Sequence, residues 1–425
     1  MATSSALALA LLLSATGARL DVGVATEGRT RSTDPRAVQG ADVLTDVVVS
    51  PTAQGQLLFP RGSLTSGYAP RLSWTDLGGG TARPRRLDAL HEGRLRFQLD
   101  PSPIWSLGLA GSGAVGRTDL LALARAQAGP VLPPTTVPTT QPIPYYRLRA
   151  ELALRYAPDR RTTWTIALGR GNDGGSTALG RAALPTQQTA TARVAVAWNA
   201  SREDVLGLRL DATGSRFPTS QVIIRHDPAP SETVTTDQRS AFGTGLATWR
   251  RQLAPTATLS AGAGAALLYS EALTAGATAA DAPRRTPHHR LRPAAEAGLS
   301  VGPDRRGFTA SADAQLGATI DRLTGVVSQQ VQGGLTGSWR PGERLTLTGR
   351  AASSLAWYDP SNDTRGGRSR TGSLELRGAY AFTPRARMTL GTYANWQRPQ
   401  PGAAVPFLEY GVSVGLGLDA PPLVR

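Results

Sequence analysis

The stretch YRLRAELALRY, Tyr146 to Tyr156, decides the fold. Tyr146, Leu148, Ala150, Leu152, Leu154 and Tyr156 share one parity, and Arg147, Arg149, Glu151, Ala153 and Arg155 share the other. A helix would mix the two sets, whereas a strand sends successive side chains to opposite faces and keeps them apart. One face suits an apolar medium. The other carries too much charge for a packed interior.

The same alternation recurs outward from this stretch. Leu95, Phe97 and Leu99 oppose Arg94, Arg96 and Gln98, and Val194, Val196 and Trp198 oppose Arg193, Ala195 and Ala197. Towards the C-terminus, Leu345, Leu347 and Leu355 oppose Thr346, Thr348 and Arg350, while Leu374, Leu376, Tyr380 and Phe382 oppose Ser373, Glu375 and Arg377. The last run sets Leu408, Tyr410, Val412, Val414, Leu416 and Leu418 against Glu409, Gly411, Ser413, Gly415 and Gly417. Two kinds of break alternate between the runs. Tight turns rich in Pro, Asp, Gly and Ser fall at 100–103, 158–161, 199–202, 303–306 and 341–343, and longer polar connections lie between them, as at 117–144, 171–189 and 215–238. A wall with one short rim and one long rim follows.

Composition excludes the main rivals. The 425 residues include 47 Gly and no Cys, so disulfide frameworks, thiolate nucleophiles and zinc fingers are out. The 40% hydrophobic content is too high for outright disorder. Past the first eighteen residues no apolar stretch is long enough for a helical membrane span. All 46 basic residues are Arg, which makes the net charge of +15 as much a matter of codon usage as of a basic surface, and no nucleic-acid recognition module accompanies it. The opening ALALALLL of Ala6 to Leu13, followed by small residues up to Ala18, predicts a secretory signal peptide over 1–18.

With these features the chain resembles the outer-membrane β-barrel proteins of Gram-negative bacteria, over about residues 63–418 and by architecture rather than by a diagnostic motif. The resemblance implies an all-β, antiparallel up-and-down transmembrane barrel of about sixteen strands, in a range of about 12 to 18, located in the outer membrane and contacting lipid, lipopolysaccharide and the assembly machinery. Residues 19–62 are expected to be a periplasmic lead-in, with one extra strand in reserve, and 419–425 a C-terminal tail. Trp105, Tyr156, Trp164, Trp198, Trp249, Trp339 and Phe382 flank the tight turns and predict a periplasmic aromatic girdle.

On the polar parity stand Arg94, Arg96, Arg147, Arg149, Glu151, Arg155, Arg193, Arg209, Asp211, Arg290, Arg292, Glu296, Arg344, Arg350, Glu375 and Arg377, the expected lining of a lumen. They fit either a ladder of lumenal salt bridges or a water-filled path favouring small anions. Other constellations are weaker. Gly169, Gly171 and Gly174 spell GxGxxG, but with no buried parallel strand before them they read as a surface loop. Asp359, Ser361 and Asp363 lack the Gly and the Glu of a calcium loop. His288 and His289 are adjacent, so in an extended segment they face apart and make a poor metal site. No catalytic set emerges, and neither a cofactor nor a nucleic-acid partner is expected. The expectation is a porin-like passive diffusion channel with a basic lumen; the alternatives are a non-conducting surface barrel whose loops bind a partner, or a soluble β-rich secreted protein.

Overall fold

The computed structural model describes residues 17–33, 43–78, 86–118, 143–224, 232–274, 284–303, 307–320, 325, 327–358, 367–398 and 407–424. Among them the strands are β1 Gly17–Thr33, β2 Val43–Phe59, β3 Gly62–Tyr68, β4 Arg71–Gly78, β5 Arg86–Ser102, β6 Trp105–Thr118, β7 Ile143–Tyr156 and β8 Thr162–Gly175. After a helix α1 at Ala178–Ala183 come β9 Gln187–Asn199, β10 Asp204–Ile224, β11 Glu232–Ala254, β12 Ala257–Thr274, β13 Arg284–Val301 and β14 Thr309–Ile320. The chain ends with β15 Val327–Trp339, β16 Leu345–Tyr358, β17 Gly367–Thr383, β18 Ala386–Arg398, β19 Phe407–Asp419 and β20 Leu423–Val424.

From β5 to β19 each strand pairs antiparallel with the next, β1 pairs with β2, and β1 pairs with β19 from Gly23↔Asp419 to Thr33↔Glu409, which closes the sheet. β3 and β4 share one position between β2 and β5, because Pro70 has no N–H to give the ladder and interrupts the strand there. The result is a closed antiparallel barrel of eighteen strands.

The count corrects the expectation of about sixteen. The two additional strands come from the segment expected to be a lead-in: β1 and β2 pair along sixteen residues from Gly17↔Leu58 to Ser32↔Val43, so 19–33 and 43–59 are wall. Small and polar residues occupy much of β1, which weakens its alternation below recognition. Of the expected signal peptide, 1–16 lie outside the described residues, while Gly17 and Ala18 open β1. The expected tail is also wall at its ends, since Asp419 closes β19 and Leu423 and Val424 pair with Leu20 and Arg19 of β1.

The outer face is set by the apolar parity. On β10, the leucines Leu206, Leu208 and Leu210 are 43%, 61% and 62% exposed, whereas Arg209 and Asp211 between and beside them are less exposed. Water would penalise such a surface by about 25 cal/mol per Å². The predicted girdle lies on this face at the tight-turn end. Trp105, Tyr156 and Trp164 are successive register partners, with the Trp105 and Tyr156 rings stacked at 4.2 Å. Trp198 and Trp249 both flank Leu206, the Trp249 Nε1 donates to Asp204 at 3.0 Å, and Phe382 meets Tyr380 edge-on at 5.2 Å. Trp339 ends β15 at the same rim. A second set, Trp74, Tyr146, Tyr269, Trp357 and Trp396, stands on the outer face at the opposite end. Tyr146 and Tyr156 lie ten residues apart on β7. That is about 34 Å of strand, or about 25 Å of height at the usual tilt.

The tight turns are held by side-chain caps. Asp159, in the β7–β8 turn, accepts from the backbone N–H of Thr162 at 2.6 Å and of Arg161 at 2.7 Å, and these bonds hold its carboxyl below the usual carboxylate range. A lowered folded-state pKa contributes stability above the unfolded value and loses it as pH falls through the folded one. Asp159→Ala should therefore slow refolding into detergent at neutral pH, with the difference from wild type vanishing in acid below the ordinary carboxylate range. On the wall, Leu210→Arg should cost about 2–4 kcal/mol in reversible unfolding from a bilayer. Thr213→Arg, on the opposite parity of the same strand, should cost much less; equal costs would contradict the assignment of faces.

Candidate functional site

The concave face is identified by a chord. Arg209 on β10 bonds Glu296 on β13, with Nη1 to Oε1 at 3.0 Å and Nη2 to Oε2 at 2.5 Å, across the intervening β11 and β12. Three strand spacings amount to about 14 Å along the wall. Two side chains meet over that span only where the sheet curves towards them. Register then places the other charged residues on the same face, through Arg94↔Ser112↔Arg149, Arg96↔Ala110↔Glu151 and Ala167↔Arg193↔Asp211.

Arg94, Arg96, Arg147, Arg149, Glu151, Arg155, Arg193, Arg209, Asp211, Arg290, Arg292, Glu296, Arg350, Glu375 and Arg377 all project inward by this register. Arg344 does not. It lies in the turn before β16, where its carbonyl accepts from the Ala381 N–H at 2.8 Å, because the strand begins only at Leu345. The GxGxxG stretch is also corrected: Gly169, Gly171 and Gly174 belong to β8 rather than to a surface loop. Gly169 and Gly171 face inward between Glu151 and Arg149 and the threonines Thr191 and Thr189. A Cβ on Gly171 would come within 2.5 Å of the Thr189 Oγ1, so the absent side chain leaves room for that hydroxyl. The calcium-like Asp359, Ser361 and Asp363 lie outside the described residues. His288 faces inward, whereas His289 faces out against Tyr269, with ring centroids 5.1 Å apart.

Much of the positive charge is paired along the wall. Asp211 receives Arg193 Nε at 2.5 Å and Arg209 Nε at 2.7 Å, which with Glu296 makes a four-residue network. Arg147 bonds Glu92 at 3.2 Å, Arg29 bonds Glu27 at 2.8 Å, and Arg94 reaches the Gln54 side chain at 2.8 Å. Arg96, Arg149 and Arg155 form no ion pair among the described residues. The inner wall is thus a salt-bridge ladder on one arc with unneutralised guanidiniums on β5 and β7. On β14 to β17 amides and hydroxyls, with Gln315 and Gln332 bonded at 2.8 Å and Ser354 and Thr371 at 2.7 Å, stand among Asp313, Arg350, Glu375 and Arg377.

Two segments fold inward at the long-loop end. After β8, helix α1 is capped by Thr177, whose Oγ1 accepts from Gly180 N, and is followed by Leu184, which is 4% exposed. Leu184 packs with Leu90, Ala114, Ile143 and Tyr145, inward-facing residues of β5 to β7. The second segment is the far end of β14 and β15. Ladder pairing between β13 and β14 runs only from Ala295↔Leu316 to Val301↔Ala310, although β13 stays paired with β12 up to Thr274↔Arg284. Beyond Leu316 the wall parts, and Val327, Ala318 and Ile320 join Leu246, Ala266, Leu268, Ala294 and Phe242 in one apolar cluster. Composition and alternation gave no sign of either segment, because both are chords rather than ladder contacts.

The Arg209–Glu296 chord reads out the inner wall energetically. In a double-mutant cycle of Arg209→Ala and Glu296→Ala, the coupling should be about 1 kcal/mol, since both side chains keep some contact with solvent. Zero coupling in reversible unfolding would mean that the chord does not form.

Among solved structures, the chain is similar to the ferric-catecholate import receptor Fiu of E. coli K12, with 9% identity over 94% of this chain and 82% of that one, at a TM-score of 0.43. It is similar to the outer membrane protein OpdK of Pseudomonas aeruginosa, with 10% identity, 94% and 99% coverage and a TM-score of 0.42. It is similar also to the FrpB iron transporter of Neisseria meningitidis, with 8% identity, 91% and 63% coverage and a TM-score of 0.47. No protein of curated function matches the sequence. A family model does: it matches residues 11–420, nearly the whole chain, and the chain therefore belongs to the EpsX exopolysaccharide export family.

Proposed function

We propose that this protein is an outer-membrane conduit of exopolysaccharide export, with the glycan passing through the barrel lumen. In this reading the apolar belt sits in the hydrocarbon of the outer membrane, the tight turns face the periplasm and the long connections face the cell exterior. Lipid and lipopolysaccharide contact the outer wall, and the assembly machinery inserts it. The observation that carries the reading is the family membership together with a closed eighteen-strand wall whose inner face is polar throughout most of its height. Eighteen strands at 4.8 Å spacing and a tilt of about 40° enclose about 36 Å between opposite backbones. After side chains, that leaves room for an extended glycan wherever no segment folds inward.

The inner-wall chemistry supports a hydroxyl-rich passenger. The uncharged amides and hydroxyls of β14 to β17 donate and accept hydrogen bonds as a sugar does, at little cost in repulsion for either sign of charge. The unneutralised Arg96, Arg149 and Arg155 support a second reading, porin-like passive diffusion of small anions.

Two measurements separate the readings. A producing strain lacking this chain should lose cell-surface polysaccharide and accumulate the polymer inside, with recovery on complementation; unchanged surface polymer would overturn the export reading. In planar bilayers, the anion diffusion reading predicts anion selectivity that moves towards cations in the Arg96→Glu, Arg149→Glu variant. Unchanged selectivity would take those two residues out of the path.

A further inference from the structure

The far end of β14 and β15 sits on the wrong side of the wall for its sequence. Ala310, Ala312, Ala314, Leu316, Ala318 and Ile320 continue the apolar, lipid-side parity of β14, while Ser311, Asp313, Gln315, Gly317 and Thr319 continue the inner one. If the Ala295↔Leu316 register ran on, Ala318 would stand opposite Pro293 and Ile320 opposite Leu291, which is 72% exposed on the outer face. Instead, Ala318, Ile320 and Val327 pack on Leu246, Ala266, Leu268 and Ala294, which are inward residues of β11, β12 and β13. The lipid-side face of the hairpin therefore covers the lumen side of its neighbours, a placement reached only by folding inward.

Two observations fix it there. Ser240 of β11 donates to the Gly325 carbonyl, and Gly325, at φ +67°, lies so close to Phe217 of β10 that a Cβ would come within 2.8 Å of the ring. Only glycine meets both the left-handed backbone and the missing space. At the point of parting, Gln329 Nε2 donates to the Pro293 carbonyl at 3.1 Å. Since N–H and C=O of one strand residue share an edge, Pro293 shows its ring nitrogen, with no hydrogen to give, to the β14 side; Pro287, six residues earlier, is on the same edge. Two prolines on one edge remove the donors that would zip β14 back into the wall.

We infer that the far end of the β14–β15 hairpin is a constriction built into the lumen, which sets the bore of the conduit by crossing the inner faces of β13, β12 and β11 to reach β10. It goes beyond the export reading but rests on the lumen being a path. Its parts are apolar on the wall side; on the inner parity of β15, Gln332 bonds Gln315 and stays partly exposed, whereas Ser328 and Gln330 are buried.

Because the chain has no Cys, crosslinking is unambiguous. In barrels purified in detergent, Ala266→Cys with Val327→Cys should crosslink with a short bismaleimide, and Leu291→Cys with Ile320→Cys should not. The reverse pattern, or no product from the first pair, would overturn the inward position. In planar bilayers, Ile320→Asp with Val327→Asp should release the hairpin and raise the unitary conductance severalfold, provided heat-dependent gel mobility shows a folded barrel. If that variant fails to fold, maleimide labelling of the single variant Ala266→Cys in the otherwise native barrel decides: shielding supports the constriction, and free labelling overturns it. Unchanged conductance in a folded Asp variant would overturn the bore-setting role while leaving export intact. Silence of every form would count against the conduit reading and would take this inference with it.

Discussion

The ladder between β1 and β19 is the constraint on which the rest depends. A sheet that spans hydrocarbon must satisfy every backbone N–H and C=O within itself, since lipid supplies no partners. Eleven register partners from Gly23↔Asp419 to Thr33↔Glu409 remove both free edges at once. Closure also creates the inside. Once the sheet is a cylinder, one parity of every strand converges on an axis, and charges that would be scattered on an open sheet come within bonding distance, as Arg209 and Glu296 do across two strands.

That convergence answers what becomes of the basic residues. A wall with many inward arginines and no counterions would resist closure through self-repulsion. Asp211 shared by Arg193 and Arg209, Glu296 capping Arg209, and Glu92 holding Arg147 turn three of those arginines into struts along the inner wall. What is left over for a passenger stands on β5 and β7, beside the inward glycines of β8, and on β16 and β17, where Arg350 and Arg377 form no ion pair among the described residues. The same chemistry therefore stiffens one side and leaves the other open to hydrogen bonding with a solute.

The sequence revealed the wall better than what fills it. Alternation over Tyr146 to Tyr156, Arg94 to Leu99 and Leu408 to Leu418 was legible because each strand has one face in an apolar medium, and such residues carry the period-two signal by themselves. β1 was not legible. Its residues at 25–30, Ala-Thr-Glu-Gly-Arg-Thr, put Thr and Gly on the outer parity, where greasy side chains would have marked a strand. The inner residues other than Arg344 could be placed from parity alone, but their partners could not, because pairing across β11 and β12 depends on curvature rather than on spacing. Helix α1 and the parted β13–β14 seam stayed invisible for a related reason: Ala318 and Ile320 have the pattern of wall residues, and only Pro287 and Pro293 on the neighbouring strand hinted that the wall would stop. Those prolines sit among the basic residues of β13.

The account stands or falls on which parity meets lipid. The most direct measurement is a cysteine scan through Leu206, Gly207, Leu208, Arg209, Leu210 and Asp211 in barrels reconstituted into lipid vesicles, labelled in turn with a membrane-impermeant maleimide and with a lipid-soluble probe. The closed barrel predicts strict alternation: 207, 209 and 211 react with the water-soluble reagent, while 206, 208 and 210 react only with the lipid-soluble one. Uniform labelling by the water-soluble reagent, or the same alternation with its phases exchanged, would contradict it.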